Sequence, residues 1–287
     1  MRRVLVLGEN AIDVKVRLDN LNLDEDENHI PEETSISFGG TGVNFSYALK
    51  RLKEEPVYFT PISLDAFGKS IRQFLEDSGI YYFDCTSERP TPVVVSIISE
   101  DKRITIASIK NTSYVDISFN TFINANLHYD FLYVSGGLLT EKSPQTETLK
   151  IVEYVKKQGY IVFFDPQVRI GKNLPNFKET CKELLKYADF ILANEKEIVI
   201  FEKSLLDGFL EREGVMVVKR GKRGAKLITN AKEIEVKGVN IKSINVVGAG
   251  DVFNAAFIKS YINTMRLKES LEFANEFATQ FVEKGFS

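Results

Sequence analysis

Short apolar runs recur along the chain at 4–7, 57–60, 131–134, 161–164, 190–192 and 215–218. They are too short for helices, rich in β-branched side chains and apolar at successive positions, so they read as strands buried on both faces. Most are separated by stretches whose apolar positions follow helical spacing, at 43–52, 70–75, 146–157 and 177–185. That alternation predicts βαβ units, and hence an α/β fold: a doubly wound, mostly parallel sheet with helices on both faces.

Two regions break the alternation. One is 12–38; the other is the pair 93–98 and 103–109, joined by the polar turn Ser99-Glu100-Asp101-Lys102. They predict β-structure outside the main layer, a small lid built from insertions at about 12–38 and 92–110 into one domain of 1–287. A lid strand that touched only its ligand would alternate, whereas 93–98 is apolar on both strand faces. One face of it is therefore expected to meet a second copy of the chain, making a homodimer through the lid. The cluster Asp24-Glu25-Asp26-Glu27 reads as a solvated loop.

Composition narrows the functional classes. Hydrophobic residues at 44% and charged residues at 27% are an ordinary globular balance. With 37 Lys+Arg against 40 Asp+Glu, the net charge of −3 gives no global basic field for nucleic acid. Cys85 and Cys181 are far apart and have no ligand-spaced partners, which argues against a disulfide framework or a zinc site and for a reducing compartment. No apolar run approaches the roughly 18 residues of a membrane span, and the N-terminal run is too short for a signal core. The expected location is the cytoplasm.

Candidate chemistry concentrates at two glycine-rich strings. In Asn245-Val246-Val247-Gly248-Ala249-Gly250-Asp251 the glycines stand at a helix entry, where a ligand can approach the backbone and first-turn N–H groups stabilise an anion. Asp251 is there either as a helix-favouring acid or as a base. In Phe38-Gly39-Gly40-Thr41-Gly42-Val43-Asn44 the paired glycines admit a hydroxyl to the backbone, and Asn44 offers both a donor and an acceptor. An ordinary tight turn is the plainer reading of that pair. The string Ser63-Leu64-Asp65-Ala66-Phe67-Gly68-Lys69-Ser70 imitates a phosphate-binding loop but lacks its first glycine, and reads as a turn into a helix.

Gly248-Ala249-Gly250-Asp251 with its small-residue helix, and the string from Phe38 to Ser46, resemble the two signatures of the ribokinase-like, PfkB-type carbohydrate kinases. Gly8-Glu9-Asn10-Ala11-Ile12-Asp13 resembles the family's opening strand, Asp165-Pro166-Gln167-Val168-Arg169 its Asp-Pro-Asn-x-Arg element, and Asn194-Glu195-Lys196-Glu197 its Asn-x-x-Glu motif. The resemblance spans nearly the whole chain. It implies an ATP-dependent phosphotransferase acting on a hydroxyl of a small sugar or sugar acid, with Asp251 as general base and Gly248, Ala249 and Gly250 as an anion hole. It assigns Asp13, Gly39, Gly40, Asn44, Gln167 and Arg169 to the acceptor. Asn194, Gly221, Gly224 and Asn275 fall to the nucleotide, with Mg²⁺ held near Glu197 through water. Asn194 and Glu197 also make a good helix capping box, a role compatible with the first.

Departures qualify the resemblance. Lys219 replaces the usual Thr ahead of Gly221, and the cations around it could equally form a solvated turn. Lys53 and Ser63 replace Gly, Gln167 replaces Asn, and Asn245-Val246 replaces Asp-Thr. These leave sugar identity and monovalent-cation activation open. A nucleoside kinase and an inactive sugar- or nucleotide-binding regulator are the alternatives. A phosphosugar kinase would need a cationic cluster, for which Arg103 and Arg169 are the candidates; with none evident beside Asp13 or Asn44, a neutral or carboxylated acceptor is expected.

Overall fold

The computed structural model describes residues 2–18, 29–99, 103–168, 173–239 and 248–285. In chain order the elements are β1 (Arg3–Leu7), β2 (Ala11–Arg17), β3 (Glu33–Gly39), α1 (Thr41–Arg51), β4 (Glu55–Ser63), α2 (Ala66–Asp77), β5 (Tyr81–Ser87), β6 (Val93–Ile98) and β7 (Arg103–Ser108). There follow α3 (Phe119–Asn124), β8 (Phe131–Ser135), α4 (Lys142–Lys157), β9 (Ile161–Asp165), α5 (Phe177–Leu185), β10 (Phe190–Asn194), α6 (Glu195–Ile198) and α7 (Lys203–Glu211). The last are β11 (Val215–Lys219), β12 (Ala225–Ile228), β13 (Glu233–Val236), α8 (Ala249–Thr264) and α9 (Leu267–Lys284).

Nine strands form one sheet in the order β13-β12-β11-β10-β9-β8-β1-β4-β5, parallel except for the β11-β12 and β12-β13 pairs. This is the predicted α/β architecture. Each expected apolar run lies inside a central strand, and each splits its side chains between two cores. Val4, Val6, Tyr133, Phe163, Leu192 and Val217 pack under α1, α8 and α9, while Leu5, Leu7, Val134, Phe164, Ile191 and Met216 pack under α4 and α5. Helix α8 is buried nearly all round, from Val252 to Ile258. An apolar girth of that kind keeps a helix inside the protein, so its N-terminus is carried to the sheet's carboxyl edge.

The second sheet has the order β3-β2-β6-β7, its strands coming from residues 11–39 and 93–108. Asp13, Ser37 and Val94 are register partners on one face; Val14, Ile36, Val95 and Ile106 are partners on the other. Of the latter, Ile36 is 65% and Ile106 57% exposed. Most of the turn linking β6 and β7, and the acidic cluster 24–27, lie outside the described residues.

Candidate active site

Strand alternation builds the floor of the site. Along β8, β9, β10 and β11 the residues facing α8 run Tyr133, Phe163, Leu192 and Val217, so two positions later the same face carries Ser135, Asp165, Asn194 and Lys219. These are the carboxyl ends of parallel strands, where α/β sheets bind ligands. β1 ends beside them at Gly8 and Glu9, at the point where the chain switches from building toward β5 to building toward β11.

Asp165 is the centre of this floor. It is fully buried, and its Oδ2 accepts hydrogen bonds from Tyr133 Oη at 3.0 Å, Gln167 Nε2 at 2.9 Å and Asn254 Nδ2 at 2.6 Å. Its Oδ1 has no partner among the described residues. Lys219 Nζ lies 3.8 Å from Oδ2 and donates to Asn254 Oδ1 at 3.1 Å. Asp165, Asn254 and Lys219 were not assigned roles from sequence; the available signal was their place at strand ends and one turn into α8.

Asp251 stands above that floor in the first turn of α8, which Gly248 enters with φ +80°. Its carboxyl is pushed up to about 8, chiefly by burial; Asn44 Nδ2, donating to Oδ2 at 2.9 Å, opposes the shift, Asp165 and Glu9 add to it, and Lys219 offsets part of it. Burial likewise raises Glu9, Asp13 and Glu197.

Asn44 reaches Asp251 because the Gly-Gly string folds tightly. Gly40 takes φ +89°, and a Cβ there would lie 2.6 Å from Glu9 O. Gly8 and Gly42 touch across the α1 start, so a Cβ on Gly8 would fall 2.7 Å from Gly42 Cα. A side chain on Gly39 would collide with the Asp13 carboxyl. The string is thus more than a turn: it joins β3, the partner of β2, to α1, so that Asp13 of β2 and Asn44 of α1 line one cavity.

Two cavities flank the start of α8. The larger, about 310 Å³, is lined by Ala249, Gly250, Phe253, Lys219, Gly221, Gly224 and Asn275. The smaller, about 130 Å³, is lined by Asp13, Lys15, Asn44 and Gly248, with Phe38, Tyr47 and Phe281 as aromatic walls. Asp251 is in neither lining; it is buried between Gly250, which lines the larger cavity, and Val252, which lines the smaller.

Not every expected residue faces a cavity. Gln167, at φ +48°, turns to Asp165. Arg169 lies outside the described residues. Asn194 and Glu197 form the full capping box of α6: Asn194 Oδ1 accepts from the amides of Lys196 and Glu197, and Glu197 Oε2 accepts from the Asn194 amide at 2.8 Å. Asn275 Nδ2 donates to Lys237 O at 3.1 Å on the wall of the larger cavity. Cations are also found beside Asp13, since Lys15 lines the smaller cavity and both Lys15 and Arg103 favour the ionised Asp13. The expectation of no basic cluster beside Asp13 is therefore corrected: β2 alternation puts Lys15 on the Asp13 face, and Arg103 of β7 acts on the same carboxyl. The basic turn resolves into separate fates, with Arg220 paired to Glu235, Arg223 to Glu195 and Lys219 turned inward. The loop at Ser63 is a helix entry in which Asp65 Oδ1 accepts from Gly68 N at 2.7 Å, placing an acid where a phosphate would have to sit.

The sequence matches the description "pfkB family carbohydrate kinase" over residues 1–285. This chain belongs to the pfkB family of carbohydrate kinases. As a pfkB-family member it is a phosphotransferase. It is 24% identical over 264 residues to a 5-dehydro-2-deoxygluconokinase of Mesomycoplasma hyopneumoniae, spanning 85% of this chain and 78% of that one. It is 26% identical over 290 residues to an ATP-dependent ribose-1-phosphate kinase of Halopiger xanaduensis, spanning 96% and 90%. Its fold is similar to that of an uncharacterised sugar kinase from Pyrococcus horikoshii in complex with ATP, with a TM-score of 0.79, 18% identity and coverage of 98% and 92%. Among the described residues of this pfkB-family kinase, no helix is long and apolar enough to cross a membrane.

Proposed function

We propose that this pfkB-family kinase transfers the γ-phosphoryl group of ATP to a hydroxyl of a small sugar or sugar acid, with Asp251 as general base. The observation that carries this reading is a buried carboxyl of raised pKa at a helix N-terminus between two cavities. The nucleotide would occupy the larger cavity against Gly221, Gly224 and Asn275, and the acceptor the smaller one against Asp13 and Asn44, while Gly39 and Gly40, outside both linings, shape the turn that brings these two to it. Asp251 takes the hydroxyl proton as the acceptor oxygen bonds to the γ-phosphorus and the bond from phosphorus to the ADP oxygen breaks. The amides of Ala249, Gly250 and Asp251, having no acceptor within their own helix, stabilise charge on the transferred group.

Among the described residues no three acidic, His or Cys side chains cluster as metal ligands. Mg²⁺ keeps most of its water and takes mainly phosphate oxygens, so it asks for few protein ligands. When bound it supplies charge neutralisation there. Asn194 and Glu197, at the end of β10, would order its water shell, although each already spends an oxygen on the α6 cap.

The smaller cavity's size and polar floor favour a single sugar ring, and Lys15 favours an anionic substituent on it. The aromatic walls Phe38, Tyr47 and Phe281 support the second reading, a nucleoside acceptor. A phosphorylation screen with Mg-ATP across free sugars, sugar acids, nucleosides and sugar phosphates decides among these. Turnover of sugars or sugar acids is the expected result; turnover of sugar phosphates alone would count against that acceptor class and point to Lys15 and Arg103, turnover of nucleosides alone would select the second reading, and none at all would remove both.

Acting as a base requires the ionised form, and a pKa of about 8 leaves only a minority of Asp251 ionised at neutral pH. We expect kcat/KM to climb about tenfold per pH unit below that value and to level off above it. A flat profile between about pH 6 and 9 would count against Asp251 as the titrating base. For stability the sign is opposite: a raised carboxyl pKa means the folded chain keeps a proton the unfolded chain has lost. The contribution of Asp251 to stability therefore falls as pH rises from the ordinary carboxylate range toward 8.

The small sheet would act as a lid that excludes water from the acceptor. Its exposed apolar face, at Ile36, Ile104 and Ile106, supports a homodimer through the lid. Light scattering at micromolar concentration should give twice the chain mass, and Ile106→Lys should halve it; a monomeric wild type would dismiss the dimer. Two buried free cysteines, Cys85 and Cys181, are in keeping with a cytoplasmic enzyme.

A further inference from the structure

Lys219 ends β11 on the face that meets α8, and its side chain is 14% exposed. Of the three N–H donors on Nζ, one reaches an acceptor among the described residues, Asn254 Oδ1 at 3.1 Å. Asp165 Oδ2, at 3.8 Å, is beyond hydrogen-bond range and is already served by Tyr133, Gln167 and Asn254. The ammonium also borders the 310 Å³ cavity, 3.8 Å from where a Cβ on Gly250 would sit, so it shares the space above the first turn of α8 with the anion-hole amides.

Behind the cavity's lining, Glu9 and Asp165 act electrostatically on Asp251, and Asp165 acts on Glu197, so acids from four different segments lie close together, with Tyr133 among them. A polyphosphate entering here approaches carboxyl groups of which burial biases Glu9, Glu197 and Asp251 toward the neutral form. Lys219 is the base that acts electrostatically on both Asp251 and Glu197.

We infer that Lys219 is a phosphoryl-binding residue, its ammonium donating to oxygens at the terminal end of the nucleotide triphosphate while Asn254 and Asp165 hold it in place. This rests on the assignment of the larger cavity to the nucleotide. A threonine at this position could offer one neutral hydroxyl; lysine offers a full charge and two spare donors, which matter most when a phosphoryl group carries developing charge. The opposing view is that Lys219 serves only as counterion to buried Asp165, and the two views differ in what they say about ligands without phosphate.

Calorimetric titration of wild type and Lys219→Met with a non-hydrolysable Mg-ATP analogue and with adenosine separates them. The expected result is a loss of roughly 10- to 100-fold in affinity for the triphosphate, the usual worth of a charge-assisted hydrogen bond, with adenosine affinity unchanged. Lys219→Arg should recover part of the difference. Lys219→Gln, which keeps a donor for Asn254, gives the same ratio if the methionine variant fails to fold. An unchanged ratio of triphosphate to adenosine affinity in the neutral variants would overturn the inference while leaving the nucleotide cavity intact. Failure of the wild type to bind either ligand would overturn the cavity's assignment, and the inference with it.

Discussion

Asp251→Asn should lower turnover by roughly 10²–10⁴-fold, the usual worth of general-base catalysis, while leaving nucleotide binding and thermal stability close to wild type. The substitution is nearly isosteric, and its side-chain oxygen can still accept the Asn44 Nδ2 bond that the carboxylate accepts at 2.9 Å. It also removes a group whose ionised form burial disfavours, so no loss of stability is expected from charge. What disappears is the proton acceptor between the two cavities. If Asp251 served only as an acid favoured at a helix N-terminus, the change would cost a few tenths of a kcal/mol and spare the rate. A coupled ADP-release assay with the accepted sugar distinguishes the cases, and a near-wild-type rate for the asparagine variant would exclude the mechanism.

Asp165→Ala should act first on the fold. The carboxyl group is fully buried and accepts from Tyr133, Gln167 and Asn254 on a single oxygen, with the Lys219 ammonium 3.8 Å away. Truncation leaves a hydroxyl, two amide groups and an ammonium facing one another in a space water enters poorly. Breaking a buried charged network by deleting one partner costs about 3–5 kcal/mol. Denaturant titration should record a drop of that size, and turnover should fall with it because Asn254 and Lys219 lose their anchor. A change below about 1 kcal/mol would mean that water or rearrangement replaces the carboxyl, and that Asp165 does not organise the floor.

Local pattern determined much of this protein. Runs apolar at successive positions had to be strands covered on both sides, and in the structure 4–7, 131–134, 161–164, 190–192 and 215–218 divide their side chains between two cores. The helix entry at Gly248 and the positive-φ turn at Gly40 were legible because glycine is what those backbones require. Lys15 could have been read as well, since period two puts it beside Asp13 on the same strand face. Edge strands β5 and β13, and the short β12 beside the latter, are not legible in the sequence because half-exposed or short segments carry no continuous apolar run. Gln167 drew attention to the acceptor, yet its positive φ turns the side chain to Asp165.

What only the tertiary structure decided is which strand ends become neighbours. Asp165 and Asn254 are 89 positions apart in sequence, and Asn44 and Asp251 are 207 apart. Alternation along each strand says which face a residue takes, but the order of strands across the sheet is set by how the helices pack. Lys219 therefore reads as one cation in a basic turn until α8 is laid over β11, and only then does it become a buried ammonium beside Asp165 and Asp251. The raised pKa of Asp251 has the same origin, because desolvation belongs to the packed surroundings and not to the residue or its neighbours in the chain.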